Sequence, residues 1–202
     1  VLAAQMTATA GCAQTVPAAR VPVYGQIVAF PLPAPFDLTA DYEAEQDGSY
    51  LLENVPAGET VGDWSQMLTL SGAQGAARGT DAAPAALAEG LAGQFLQGYA
   101  SACVAPVAAL ALEPPQGGAA RAVFAGWIGC PHVAGSGHAE EMLLVVMIGA
   151  QDIYTLQWAE HGPASDRLTM APRWKERLAL LAGTGLCDPV PGEAAPYPSC
   201  NP

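Results

Sequence analysis

The sequence predicts an α+β fold: a mostly antiparallel β-sheet flanked by two main α-helices, packed as an α/β sandwich. Three observations predict it. Residues 141–160 read as two long strands joined by a tight turn. Several further β-like runs follow one another across short turns rich in Pro and Gly, which favours antiparallel neighbours. Two other stretches carry apolar residues at helical spacing, and each needs a sheet face on which to bury its stripe.

The hairpin is the clearest element. Met142 to Ile148 is an unbroken apolar run containing Val and Ile, and Gly149-Ala150-Gln151-Asp152 supplies turn chemistry directly after it. In the next segment Tyr154, Leu156 and Trp158 fall on one face, and Thr155 and Gln157 on the other. The first strand is apolar on both faces, so it belongs in the sheet interior, covered on both sides.

Taken in order, Pro17, Pro22, Pro31, Pro33 and Pro35 punctuate the early chain. Short strands at 21–24 and 26–30 lie beside these prolines and are expected at sheet edges. Residues 36–47 are acidic and expected as loop. Ser49 to Asn54 reads as a strand. So does Trp64 to Leu70, with Trp64, Gln66, Leu68 and Leu70 on one face. A Gly- and Ala-rich loop leads to a helix capped at Asp81 or Ala83, with Pro84 in its first turn. Leu87, Leu91, Phe95 and Tyr99 form its stripe, continued by Ala102 and Cys103. Gly90, Gly93 and Gly98 each weaken it by up to about 1 kcal/mol relative to Ala. Strands at 107–112 and 120–129 flank a turn built on Pro114-Pro115 and Gly117-Gly118. A last helix over 172–182 carries Trp174, Leu178 and Leu181 on one stripe, and Gly183 and Gly185 stop it.

Composition bounds the function. The 202 residues carry 7 Lys and Arg against 19 Asp and Glu, a formal net charge of −12. Nucleic-acid partners need a basic footprint, so none is expected, nor is an anionic membrane surface as the main partner. Residues 1–13 read as a signal-peptide remnant or a lipoprotein cleavage region. Thr9-Ala10-Gly11-Cys12 resembles a bacterial lipoprotein box, which would place a lipid on Cys12 and attach the chain to a membrane. The other reading is a secretory signal cut after a small residue such as Ala13. Residues 14–21 then form a linker, 22–188 a single α+β domain, and 189–202 a disulfide-tethered tail. The chain is thus expected in the periplasm or outside the cell, lipid-anchored to the bacterial envelope or free according to the fate of Cys12.

Cysteine arithmetic agrees with export. With Cys12 set aside, Cys103, Cys130, Cys187 and Cys200 allow three connectivities. Cys103–Cys130 with Cys187–Cys200 is preferred: the first ties a helix end to a strand end, and the second closes a local loop that holds a tail. Four free thiols in a reducing compartment are the alternative.

Chemistry-bearing residues are few. Cys130-Pro131-His132 and Gly137-His138 lack the spacing of a zinc site. With His161 they complete the histidines, and His132 and His138 are expected as solvated loop residues. Gly135-Ser136-Gly137 lacks the Gly-x-Ser-x-Gly elbow of a serine hydrolase. Asp152 is a turn former first. The acidic run Asp37, Asp41, Glu43, Glu45 and Asp47 lacks calcium-loop spacing. Trp64, Trp127, Trp158 and Trp174 fall at strand and helix spacings that suit core residues. No catalytic, cofactor-binding or metal residue is assigned, and no cofactor is expected.

Ser49 to Glu53, the Pro56-Ala57-Gly58-Glu59 loop, Trp64-Ser65-Gln66-Met67, Cys130, the hairpin at 149–158 and Trp174 together resemble bacterial exported proteins with the PsbP/DcrB-like fold, over residues 22–188. The resemblance implies an antiparallel sheet flanked by helices. It also implies an accessory, assembly or binding role toward an envelope protein or small ligand, with no catalytic residues to carry over. The expectation is therefore a non-enzymatic exported binding or assembly-accessory protein. A cryptic envelope hydrolase with scattered residues and a purely structural envelope protein are the alternatives.

Overall fold

A computed structural model describes residues 16–201; Cys12 and its proposed lipidation lie outside the described residues. The strands are β1 (Ala18–Val23), β2 (Gln26–Pro31), β3 (Tyr42–Gln46), β4 (Ser49–Asn54) and β5 (Gln66–Ala73). Helix α1 (Pro84–Ala102) follows, then β6 (Ala108–Leu112), β7 (Gly117–Gly118), β8 (Ala122–Cys130), β9 (His138–Ile148) and β10 (Ile153–Pro163). Helix α2 (Pro172–Leu180) and β11 (Gly185–Cys187) complete the order.

Seven strands form one antiparallel sheet, in the order β3-β4-β5-β10-β9-β8-β6. Four form a smaller sheet, β1-β2-β11-β7, antiparallel except where β11 runs parallel to β7. The class is α+β with sheet predominating. The β9–β10 hairpin lies at the middle of the large sheet, and the Gly149 amide donates to Asp152 O at 2.9 Å across its turn.

The period-two alternation of β9 divides two cores. Leu143, Val145 and Met147 point to one face of the large sheet; Met142, Leu144, Val146 and Ile148 point to the other. On the second face lies α1, with Ala88 and Ala92 buried and Leu87, Leu91, Phe95 and Tyr99 partly so. Small residues let that helix approach the sheet. Ala102, read as part of the stripe, is exposed. On the first face lie both the small sheet and α2. Val28, Phe30 and Leu186 meet Trp127, Leu156 and Trp158 there, with Trp174 of α2 and Leu181 just past its end fully buried among them. Each such apolar side chain taken out of water contributes about 1.5–3 kcal/mol.

Several elements differ from their sequence reading, each for a physical reason. The strand β2 is internal to the small sheet, not an edge, because β11 pairs with its far side. The prolines mark only its ends. Strand β1 is an edge, but it begins at Ala18, inside the stretch read as linker. Residues 42–46, read as loop, form β3. It is a sheet edge where Glu43 and Glu45 stay solvated while the backbone pairs with β4. The short β11 occupies the segment read only as a helix stop.

Two disulfides staple the layers. Cys103 bonds Cys130, joining the end of α1 to the end of β8. Cys187 bonds Cys200 and folds the C-terminal tail over the outer face of the small sheet, where Ile27, Ala29 and Cys200 are buried. Both are the pairs preferred from the sequence, and they fit an oxidising, extracytoplasmic compartment. Among the described residues, no helix is long and apolar enough to cross a membrane.

Candidate functional site

The hairpin register brings two histidines together. Pro163 pairs with His138 and His161 with Glu140, so both imidazoles emerge at the same end of the large sheet. His138 and His161 stack with centroids 3.8 Å apart, and Trp64 stacks on the other face of His161 at 3.7 Å. His138 is therefore a strand residue in an aromatic stack, not a solvated loop residue. Trp64 is a half-buried surface ring, unlike Trp127, Trp158 and Trp174, which are core. His161 Nε2 lies 3.4 Å from Glu140 Oε2, and the Tyr99 hydroxyl of α1 donates to Glu140 Oε1 at 2.5 Å. Burial and the Glu140 charge push the Tyr99 phenol well above its usual value.

The hollow beside this stack is lined by Glu59, Thr60, Asp63, Trp64, Ser65 and His161. Its groups are mostly engaged with one another. The Ser65 backbone N–H and hydroxyl both donate to the Glu59 carboxylate at 2.6 Å. That holds Glu59 below the usual carboxylate range. The Ser65 hydroxyl is thus committed to a carboxylate. Ser136 Oγ donates to Val133 O at 3.0 Å, and His132 Nε2 lies 3.2 Å from Ser136 O. Cys130 is consumed in its disulfide. Among the described residues, no group of three His, Cys, Asp or Glu side chains is placed to hold a metal ion. The His138 Nδ1 is buried without a hydrogen-bond partner in the described structure.

A second polar cluster lies under α2. Glu141, 8 % exposed, accepts from Trp174 Nε1 at 2.6 Å, Trp127 Nε1 at 3.2 Å and Arg173 Nη2 at 2.6 Å. Glu160 holds Arg177 and, at 3.3 Å, Arg173 Nε. The Arg177 guanidinium also lies over the rings of Trp158 and Trp174, at 4.7 and 4.6 Å. With its oxygens spoken for, Glu141 is a staple between helix and sheet rather than an acid or base open to a ligand.

The third feature is an edge. Strand β6, Ala-Ala-Leu-Ala-Leu, closes one side of the large sheet and carries no charge. Its Leu110 is 48 % exposed. A hollow lies on each side of it. One of about 230 Å³ is lined by Ala109, Ala111, Gly93, Leu96 and Phe124 beneath α1. The other, of about 560 Å³, is lined by Ala108, Trp127, Leu168 and Met170 on the opposite sheet face. Leu110 borders both.

No family model matches the chain, and no curated protein matches it. The site is therefore assigned from geometry alone. The aromatic–histidine stack is largely self-satisfied, whereas β6 offers backbone unpaired among the described residues, exposed apolar side chains and room. Sequence reading found the strand but not the edge. Its signals were an uncharged pentapeptide bounded by Pro106 and Pro114-Pro115, beside an opposite edge strand that carries Glu43 and Glu45.

Proposed function

We propose that this chain is an exported, non-enzymatic binding or assembly-accessory protein of the bacterial envelope that holds a partner protein at its β6 edge. The observation that carries the reading is β6, uncovered among the described residues, apolar and hollowed on both faces. Folded proteins ordinarily blunt such edges, because unpaired strand backbone templates association. An edge left open and flanked by apolar hollows is a surface built for contact.

Other features support it. Two disulfides suit a chain that works in an oxidising compartment. The 1–13 segment has the composition of an export signal, and a lipid on Cys12 would add attachment to the envelope. The PsbP/DcrB-like resemblance points toward accessory and binding roles. The enzyme alternative rests on the His161–Glu140 pair, but the nearby Ser65 hydroxyl is bonded to Glu59 rather than to a base.

Site-specific photocrosslinking tests the reading. A photoreactive residue at position 110 of the exported protein should yield an adduct with one defined envelope protein, whose crosslinked peptide is sequenced. The same residue at Leu38, equally apolar and more exposed, should not. Equal labelling from both positions, or none from 110, rejects the β6 edge as the binding surface.

A further inference from the structure

We infer that the partner binds by strand addition: an extended segment, apolar at alternate positions and flanked by Lys or Arg, pairs with β6 as an eighth strand of the large sheet. This rests on the binding reading above and gives it a mode and a chemistry. Among the described residues, no backbone group of Ala108–Leu112 bonds anything besides β8. Alternate N–H and C=O groups of a strand paired on one side face outward, and they gain from a partner of the same kind.

The other three sheet edges are closed to this. Strand β3 carries Glu43 and Glu45. Strand β1 contains Pro22, which has no N–H to donate, and its Arg20 side chain bonds Cys200 O at 2.8 Å. Strand β7 is two residues long. Strand β6 has neither charge nor proline within it, while Pro106 and Pro114-Pro115 bound it to a ladder of about five residues, roughly 17 Å of strand.

Side-chain geometry selects the occupant's pattern. Successive residues of an added strand point to opposite sheet faces. One set would enter the hollow under α1, where Ala109, Ala111 and Gly93 leave room; the other would meet Leu168 and Met170. Charge selects its flanks. Glu89 lines the first hollow, Asp166 the second, and Glu113 follows the strand, against Arg167 in the second hollow and Lys175 beside Glu113. A second copy of this chain would bring a net −12 against another −12, which disfavours β6–β6 pairing and favours a basic partner.

The test uses the full disulfide-intact protein and two synthetic peptides with the same alternating Val and Thr centre, one flanked by Lys and one by Glu. The Lys-flanked peptide should bind at least about tenfold tighter at low salt, with the preference shrinking as salt rises. It should also slow hydrogen exchange of outward amides within Ala108–Leu112. Leu110→Lys, at an exposed position that the fold does not need, should weaken it by about tenfold. Binding of neither peptide overturns the proposal. Binding without slowed β6 exchange rejects strand addition but leaves a β6-centred binding module standing, which the photocrosslink decides separately. A concentration-dependent dimer with β6 amides already protected would make a second copy the occupant and overturn the basic partner.

Discussion

Glu141 shows how one carboxylate fixes the relation of a helix to a sheet. It sits on β9 beneath α2, and its donors arrive from β8 (Trp127) and α2 (Arg173 and Trp174). Replacing it with Leu strands two buried indole N–H groups and removes an ion-pair partner, so the loss should reach about 3–5 kcal/mol. Glu141→Gln keeps an acceptor oxygen and should cost less. Urea unfolding followed by tryptophan fluorescence measures both; equal stability of wild type and Glu141→Leu would show that the network contributes nothing net. The tyrosines carry a second prediction. Burial raises the phenols of Tyr50, Tyr99 and Tyr154, with hydrogen bonds to Glu43, Glu140 and Asp152 adding to it. Each holds its proton in the folded state above the pH, about 10, at which the unfolded chain releases it. Stability from these groups is therefore complete below about pH 10 and is lost as pH rises toward the folded-state values. Alkaline unfolding should coincide with tyrosinate absorbance, and Tyr99→Phe should soften its pH dependence. An unchanged slope in that variant would remove Tyr99 from the account.

At the scale of elements, periodicity decided what could be read from sequence. The β9–β10 hairpin and both helices announce themselves through period-two and helical spacing, and their observed bounds fall close to the sequence reading. Strands β3, β7 and β11 do not. The first is acidic, the second is two glycines and the third is three residues long, so none carries a burial pattern of its own. They are strands because neighbours pair with them. The same holds for the candidate site: β6 is legible as a strand, but its being an edge is a property of topology. The His138–His161 stack likewise depends on a register that only the paired hairpin sets. The Cys187–Cys200 bridge shows an element held by covalent means. It closes a 13-residue separation and clamps the tail over Ile27 and Ala29. Replacing both cysteines with Ser should cost about 2–4 kcal/mol. It should also raise protease cleavage within 189–201 while the large sheet stays protected. Cleavage at an unchanged rate would mean that the tail is held by Tyr197 and the Glu193–Ser199 bonds instead.

The whole molecule is a stack of unequal layers, and the inequality predicts how it opens. From one side to the other run the C-terminal tail, the small sheet with α2, the large sheet, and α1. The large sheet's first face is sealed by Trp127, Trp158 and Trp174, the Glu141 network and a second sheet. Its second face is covered by α1, whose buried residues are Ala88 and Ala92, with Ala77 of the preceding loop. Gly90, Gly93 and Gly98 each cost that helix up to about 1 kcal/mol, and none has a neighbour that its missing side chain makes room for. The N-terminus has no side-chain cap, and the first turn has no acidic residue to complement the helix dipole. Helix α1 should therefore open below the global unfolding free energy, held mainly by Cys103–Cys130 and the Tyr99–Glu140 bond at its C-terminal end. Native-state hydrogen exchange reads this directly. Amides near Leu87 and Leu91 should exchange about tenfold or more faster than those of β9, and with a smaller dependence on denaturant. Amides near Tyr99 should stay slower until the Cys103–Cys130 bond is removed by paired Ser substitution. Exchange of α1 and β9 in a single step, with one denaturant dependence, would show that the two cores unfold as one unit and that the thin face is no weaker than the thick one.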